Sequence, residues 1–285
     1  MRDLTAREFE LMRGYIEKEC GIVLGKDKAY LITSRLSRIL TEFNIHSFEG
    51  LYFTLKSEKD PRIKEKVIDA ITTNETLWFR DRTPFKTLEE VLLPRYIDEI
   101  QNKKRDRVRI WSAGCSTGQE PYSIAMSIDR YLTQRRIQGV SPKDFEILAT
   151  DISRSVLKAA EAGRYDDVSI MRGLDLDYRN EYFTRESRDW VLHNRIRDRV
   201  RFRQFNLQNN FITLGKFDVI FCRYVTIYFS PDLKRDIFKK IAGALNLPCG
   251  VLFLGNSEVF NEYGNNFVRM SHDGGVYYKV KEPVL

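Results

Sequence analysis

Three times after residue 107, a short apolar run passes through a turn into an amphipathic helix. VRIWSA, from residue 108, leads through the small-residue loop Gly114-Cys-Ser-Thr-Gly118 into PYSIAMSIDRYLTQ. FEILATDIS leads into SVLKAAEAG, and FDVIFCRYV leads into SPDLKRDIFKKIAGAL, where Ser230 offers an N-cap and Pro231 takes the first helical position. GVLFLGNSE and GVYYKV read as two further strands. Strands alternating with helices of this length specify a mostly parallel sheet covered on both faces, with ligands bound beyond the carboxyl ends of the strands.

The first 75 residues follow a different period. Thr5 and Glu8 form a capping box, Leu4 and Phe9 a staple, and Gly21 a stop for a first helix. KDKAYLITSRLSRILTEF then sets Leu31, Ile32, Leu36, Ile39, Leu40 and Phe43 on one side, with Lys28, Arg35 and Arg38 together on another. FEGLYFTLK after Ser47 and RIKEKVIDAI after Pro61 complete a small helical bundle. One later segment breaks the strand–helix alternation: Arg195, Arg197, Arg199, Arg201 and Arg203 recur at every second position, which predicts a strand with one basic face. That face reads either as a solvated antiparallel insertion or as a docking surface.

Charge and cysteine content narrow the class. Residues 1 to 75 carry 13 basic and 13 acidic side chains, so the net +7 of the chain belongs to the remainder and biases it toward acidic partners. Cys20, Cys115, Cys222 and Cys249 are far apart and there are only three histidines, which argues against a zinc cluster or a disulfide framework and fits a reducing cytosol. No apolar run approaches a membrane span, and the N-terminus does not resemble a signal peptide, so the expectation is a cytoplasmic protein.

The glycine loop GCSTGQE is neither GxGxxG nor a P-loop, which makes phosphate a poor guess for its ligand. It delivers Glu120 to a strand–helix junction, while ATD delivers Asp151 to the end of the next strand, so two carboxylates converge on one crevice. An adenosyl ligand with a sulfonium and an amino acid tail suits such a wall: a carboxylate can take two ribose hydroxyls, and negative charge favours positive sulfur. Glu120 could instead be only a favourable charge at a helix N-terminus, and Asp151 only an Asx turn.

TTNETLWFRD (72 to 81), RIWSAGCSTGQEPYSIAM (109 to 126), ILATDIS (147 to 153), FDVIFCRYVTIYF (217 to 229) and LFLGNSE (252 to 258) together resemble the CheR family of chemotaxis receptor methyltransferases, over nearly the whole chain. The resemblance implies an α/β fold: a doubly wound, Rossmann-like methyltransferase domain with a small antiparallel β insertion, preceded by an all-α domain. The expected boundaries are a helical domain over 1–75, a linker over 76–90 that contributes to the cofactor site, and a catalytic domain over 91–285 with its insertion at about 178–205. The implied activity is transfer of a methyl group from S-adenosylmethionine to glutamate side chains of chemoreceptors, giving methyl esters and S-adenosylhomocysteine, with no metal.

Carried over by motif, Asn74, Thr76 and Arg80 resemble the residues around the amino acid end of the cofactor. Glu120 and Asp151 match its binding acids, with Asp151 on the ribose, and Asn206 and Leu207 match a pair beside the adenine. Arg223 with Tyr224 occupies the family's Arg-Asn pair and is expected to bind the cofactor, and Tyr228 matches an aromatic hydroxyl near the transferred methyl; Tyr228 and Arg80 are the expected catalytic pair. Tyr224 departs from the family, exchanging a compact amide for a phenol. It raises the alternative of a catalytically impaired adaptor that binds cofactor or product at receptor arrays.

The expected partner is the cytoplasmic domain of methyl-accepting chemoreceptors, met by a monomer without nucleic acid or membrane insertion and docked through Lys28, Arg35 and Arg38. Base-methylation motifs of the NPPY or PCQ type are absent. Some family members bind a receptor's C-terminal pentapeptide at the inserted sheet through a longer, glycine-rich turn. Here Tyr182-Phe183 runs through TRESRDWVLHN without glycine, so docking is expected to be independent of the pentapeptide and the turn is not expected to reach positive φ.

Overall fold

The computed structural model describes residues 4–258 and 266–281. Its N-terminal part is the expected bundle: α1 (Ala6–Cys20), α2 (Ala29–Glu42), α3 (Phe48–Lys56) and α4 (Pro61–Ile71). The α1 capping box is present, with the Glu8 N–H donating to Thr5 Oγ1 at 3.2 Å and the Thr5 N–H donating to Glu8 Oε2 at 3.0 Å. Gly21 ends α1 at φ 74, Ser47 caps α3, and Asp60 caps α4 ahead of Pro61. Met12, Ile16, Ile32, Leu36, Leu51 and Val67 fill the bundle core, with Leu31, Leu40 and Phe43 half-buried at its edge.

α5 (Thr83–Thr87) continues through a π-helical turn, Leu88–Leu92, into α6 (Leu93–Gln101). A domain boundary at residue 90 therefore falls inside an unbroken helical stretch, because Leu88, Leu92, Leu93, Tyr96 and Ile97 bury one continuous stripe against the sheet.

The sheet is built from β1 (Val108–Ala113), β2 (Phe145–Asp151), β6 (Val200–Gln204), β7 (Val219–Phe221), β8 (Val251–Phe253), β9 (Phe267–His272) and β10 (Gly275–Val280), in the order β6-β2-β1-β7-β8-β10-β9. The β6-β2-β1-β7-β8 block is parallel and β10 runs antiparallel to both of its neighbours. Alternation divides each strand between two cores: Val108, Ile110, Ile147, Val219 and Val251 face one side, and Trp111, Ala113, Ile220 and Leu252 the other. α7 (Gln119–Gln134) and α8 (Arg154–Ala162) pack on the first face and α12 (Pro231–Ala244) on the second. No helix among the described residues is long and apolar enough to cross a membrane.

A separate sheet, β3-β5-β4, is formed by β3 (Arg164–Tyr165), β4 (Phe183–Glu186) and β5 (Asp189–Leu192), with α9 (Asp167–Met171) and α10 (Leu176–Tyr182) between β3 and β4. The small sheet thus spans 164 to 192 rather than 178 to 205. The arginine run is not one strand: α11 (Asn194–Arg197) makes a helical turn, and β6 joins the central sheet. Ile196 is fully buried and Val200 nearly so, and anchoring both in the core overrides the period of two. The turn joining β4 to β5 does reach positive φ without glycine, since Ser187 adopts φ 54.

The two parts of the chain are fastened together at several points. Ile22 pairs antiparallel with Phe229, and the Val23 N–H donates to the Tyr228 carbonyl at 2.9 Å. Asn206 Nδ2 donates to the Glu19 carbonyl at 2.8 Å, and Ser153 Oγ donates to Asp69 Oδ1 at 2.6 Å.

Candidate functional site

In the parallel block, strand order reverses between β1 and β7, and at the carboxyl ends of β1, β2, β6 and β7 lies a cleft of about 930 Å³ including its mouth. Gly114 makes the closure possible. It sits at φ 74, and a Cβ there would lie 2.4 Å from Val225 Cγ2, so only glycine lets the loop after β1 approach the loop after β7.

Asp151 ends β2 with its carboxylate in the cleft wall. Oδ2 accepts the Ser116 N–H at 2.9 Å and Oδ1 the Ser153 N–H at 3.0 Å, so each oxygen keeps acceptor capacity. Burial raises its pKa above the ordinary carboxylate value; the backbone bonds from Ser153 and Ser116 offset part of that, and the nearby Asp69 charge adds to it. Ser116 Oγ donates to the Asn74 carbonyl at 2.8 Å, which ties the segment carrying Asn74 and Thr76 to the glycine loop.

A chain of charges crosses the cleft wall beside it. Ser112 Oγ donates to Glu120 Oε1 at 2.7 Å, and Arg223 Nη1 donates to Glu120 Oε2 at 2.8 Å. Arg223 Nη2 reaches Asp81 Oδ2 at 2.7 Å and the Arg80 carbonyl at 2.6 Å, with the Arg223 side chain 1% exposed. Glu120 is therefore not the bare negative wall expected of it: a buried guanidinium sits between it and Asp81. The Tyr224 hydroxyl donates to the same Asp81 oxygen at 2.7 Å, and burial followed by the Asp81 bond raises the phenol's pKa. The Arg80 guanidinium lies 3.6 Å from the centroid of the Tyr224 ring.

Asn206 and Leu207, just past β6, also line the cleft, but the Asn206 side chain is committed: it donates to Glu19 and accepts the Gln208 N–H at 2.9 Å. Tyr228 lines the cleft half-buried, and among the described residues its hydroxyl has no hydrogen-bond partner. From the helical part, Cys20 and Ile22 complete the wall. Burial, and then the Glu19 charge, push the Cys20 thiol up to about 12, so it faces the cleft as an uncharged, nearly apolar group.

Lys28, Arg35 and Arg38 lie outside the cleft. Lys28 and Arg38 are exposed, but Arg35 is half-buried with Nη1 donating to the Ile71 carbonyl at 2.7 Å, so it closes the end of α4 rather than joining a free basic stripe. Two carboxylates escaped the sequence reading, Asp81 and Glu258. Glu258 accepts the N–H groups of Tyr224 (2.6 Å), Gly255 (2.9 Å) and Thr226 (2.9 Å), and the Thr226 hydroxyl at 2.7 Å, clamping the loop after β7 to the end of β8. Both stand inside quoted motifs, LWFRD and LFLGNSE, but nothing in those strings discloses what they hold.

Residues 7–72 match the family model described as CheR methyltransferase, all-alpha domain, and residues 74–276 that described as CheR methyltransferase, SAM binding domain. Chemotaxis protein methyltransferase 1 of Pseudomonas aeruginosa is 43% identical over 275 residues, covering 96% of this chain and 98% of the relative. Chemotaxis protein methyltransferase Cher2 of Pseudomonas putida is 41% identical with the same coverage. The chemotaxis protein methyltransferase of Vibrio parahaemolyticus is 41% identical over 280 residues, 98% of each chain.

Proposed function

Since this chain belongs to the CheR methyltransferase family, an S-adenosylmethionine-dependent methyltransferase of chemotaxis, we propose that it esterifies glutamate side chains on the cytoplasmic helices of chemoreceptors. The observation that carries this reading is one cleft lined both by Asp151, a buried carboxylate with spare acceptor capacity, and by Arg80, a cation able to meet an incoming carboxylate. S-adenosylmethionine supplies a methyl carbon activated by positive sulfur, which an ionised glutamate attacks with no proton to move.

The chain's own residues bind and orient. Asp151 takes the ribose hydroxyls, Asn206 and Leu207 border the adenine, and Asn74 and Thr76 border the amino acid end. The trio Glu120, Arg223 and Asp81 carries two carboxylates and one guanidinium, so it retains the negative excess that favours a sulfonium. Arg80 and Tyr228 face the acceptor, where hydrogen bonds to its carboxylate offset the cost of drying it. Positioning supplies most of the rate, an effect worth roughly 7 to 11 kcal/mol in well-oriented reactions. The enzyme works in the cytoplasm, is recruited to receptor arrays, and meets receptors through Lys28 and Arg38 without a C-terminal pentapeptide.

Incubating the protein with tritiated S-adenosylmethionine and membranes bearing chemoreceptors tests the reading. Base-labile methanol release from the receptor band is expected; label that survives base, or none on receptor, would overturn it.

A further inference from the structure

Tyr224 has an unusual backbone for its type. It lies at φ 59, in the left-handed region that bulky side chains rarely enter, and the Tyr224 N–H bond to Glu258 Oε2 holds it there. Its ring is fixed at both ends. The hydroxyl donates to Asp81, itself anchored by buried Arg223, and accepts the Asn256 N–H at 3.3 Å. Behind the ring stands Gly255, where a Cβ would come within 2.9 Å of Tyr224 carbons, so the ring cannot retreat. The ring carries the Arg80 guanidinium at 3.6 Å. Arg80 has little else to hold it: one side-chain hydrogen bond among the described residues, from Nη1 to the Glu75 carbonyl at 3.3 Å. An arginine on a flexible stem loses substantial rotamer freedom when it must meet a carboxylate in one geometry, unless something has already fixed its plane.

We infer that Tyr224 is a positioning residue of the acceptor subsite: its boxed ring fixes Arg80 so that the substrate glutamate meets a pre-oriented cation. This rests on the proposed assignment of a carboxylate as methyl acceptor. It also accounts for a strained phenol at a position where a residue tolerant of positive φ would cost the backbone less. The strain is compensated by five contacts, with Glu258, Asp81, Asn256, Gly255 and Arg80, and each of them bears on the orientation of the ring or of the cation above it.

Two variants separate the ring from its hydroxyl and from the backbone. Tyr224→Asn places a residue tolerant of left-handed backbone but removes the stack; Tyr224→Phe keeps the stack and removes the bond to Asp81. Tyr224→Asn is expected to raise KM for receptor methylation by about five- to tenfold, the scale of one cation–π contact, while the calorimetric Kd for S-adenosylhomocysteine stays within about twofold. Tyr224→Phe is expected to give a KM between those of the parent and Tyr224→Asn, because the stack remains while the hydroxyl's two anchors are lost. An unchanged KM in Tyr224→Asn, a parallel rise in the S-adenosylhomocysteine Kd, or a Tyr224→Phe variant as impaired as Tyr224→Asn would each overturn the inference. A parent protein that forms no base-labile ester overturns the acceptor assignment and this role with it, a failure visible before any variant is made.

Discussion

Asp151 illustrates what a single side chain contributes here, since its carboxylate serves the fold through two backbone N–H groups and is proposed to serve the ligand through its remaining lone pairs. Replacing it with alanine would leave both N–H groups without a partner, at about 1–3 kcal/mol of stability each, so a binding defect in that variant would be mixed with a folding defect. Asp151→Asn keeps the shape and one acceptor oxygen. It is expected to weaken S-adenosylhomocysteine by about 1.5–3 kcal/mol, roughly 10- to 150-fold, and to cost about half the stability that alanine costs, since one of the two N–H groups then faces the amide NH2; calorimetry well below the Tm of the variant checks it. A pH dependence follows from burial. The Asp151 pKa is raised in the free protein, so stability falls as pH climbs from the ordinary carboxylate value through the raised one. Ribose hydroxyls donating to the ionised form pull that pKa back down. Binding should therefore release protons, and affinity should drop as pH falls through the raised value. Binding heats that do not vary with the buffer's ionisation enthalpy across the mildly acidic range would contradict this. The roles of Asp81 and Glu258 were hidden from a residue-by-residue reading, because both depend on the left-handed turn at Tyr224 that brings the loop after β7 onto the end of β8.

Among the elements, α1 and α3 are joined through one acid. Glu8 Oε2 completes the α1 capping box, while Oε1 accepts the N–H groups of Phe48 and Glu49 at 3.1 and 3.3 Å, at the first turn of α3. Burial alone would raise its pKa, but the bonds from Thr5, Glu49 and Phe48 outweigh burial and hold it below the ordinary value. The corresponding stability is present above the ordinary carboxylate value and is lost as pH falls through the depressed one. Glu8→Gln is expected to cost about 1–3 kcal/mol in urea denaturation at neutral pH, a difference that closes in acid. Caps such as Thr5 and Ser230 were legible because their chemistry is local. The arginine run was not, since Ile196 and Val200 are claimed by a core that only the folded chain assembles. β9 was missed for the opposite reason. It exposes Val268, Arg269 and Met270 in succession, so no alternation marks it, and its signal was the hairpin turn at Asp273-Gly274, both at positive φ.

For the whole molecule, five motifs scattered from residue 72 to 258 disclosed the fold and most of the cleft, because four of them sit at strand ends that parallel topology brings to one edge and the first is tied to the glycine loop through Ser116 and Asn74. What they could not disclose was how far the helical part shares in the site, since Cys20 and Ile22 enter its wall through a main-chain pairing that has no side-chain code. Receptor docking belongs to this scale. Lys28→Glu with Arg38→Glu is expected to lower receptor methylation several-fold at low salt and less at high salt, leaving the S-adenosylhomocysteine Kd unaltered. Equal activity across salt would remove α2 from the docking surface. A fluorescent pentapeptide ending in an aromatic residue is expected to show no saturable binding, and a micromolar isotherm would show that the short β4–β5 turn is no barrier to it. The pairing of Ile22 with Phe229, together with the Val23 bond to the Tyr228 carbonyl, also bears on how relatives could be recombined. A helical bundle grafted from another member would bring its own residues at positions 20 and 22, and with them a different lining for the donor. With receptor docking on α2 as proposed, exchanging the bundle alone is expected to shift receptor preference and S-adenosylhomocysteine affinity together.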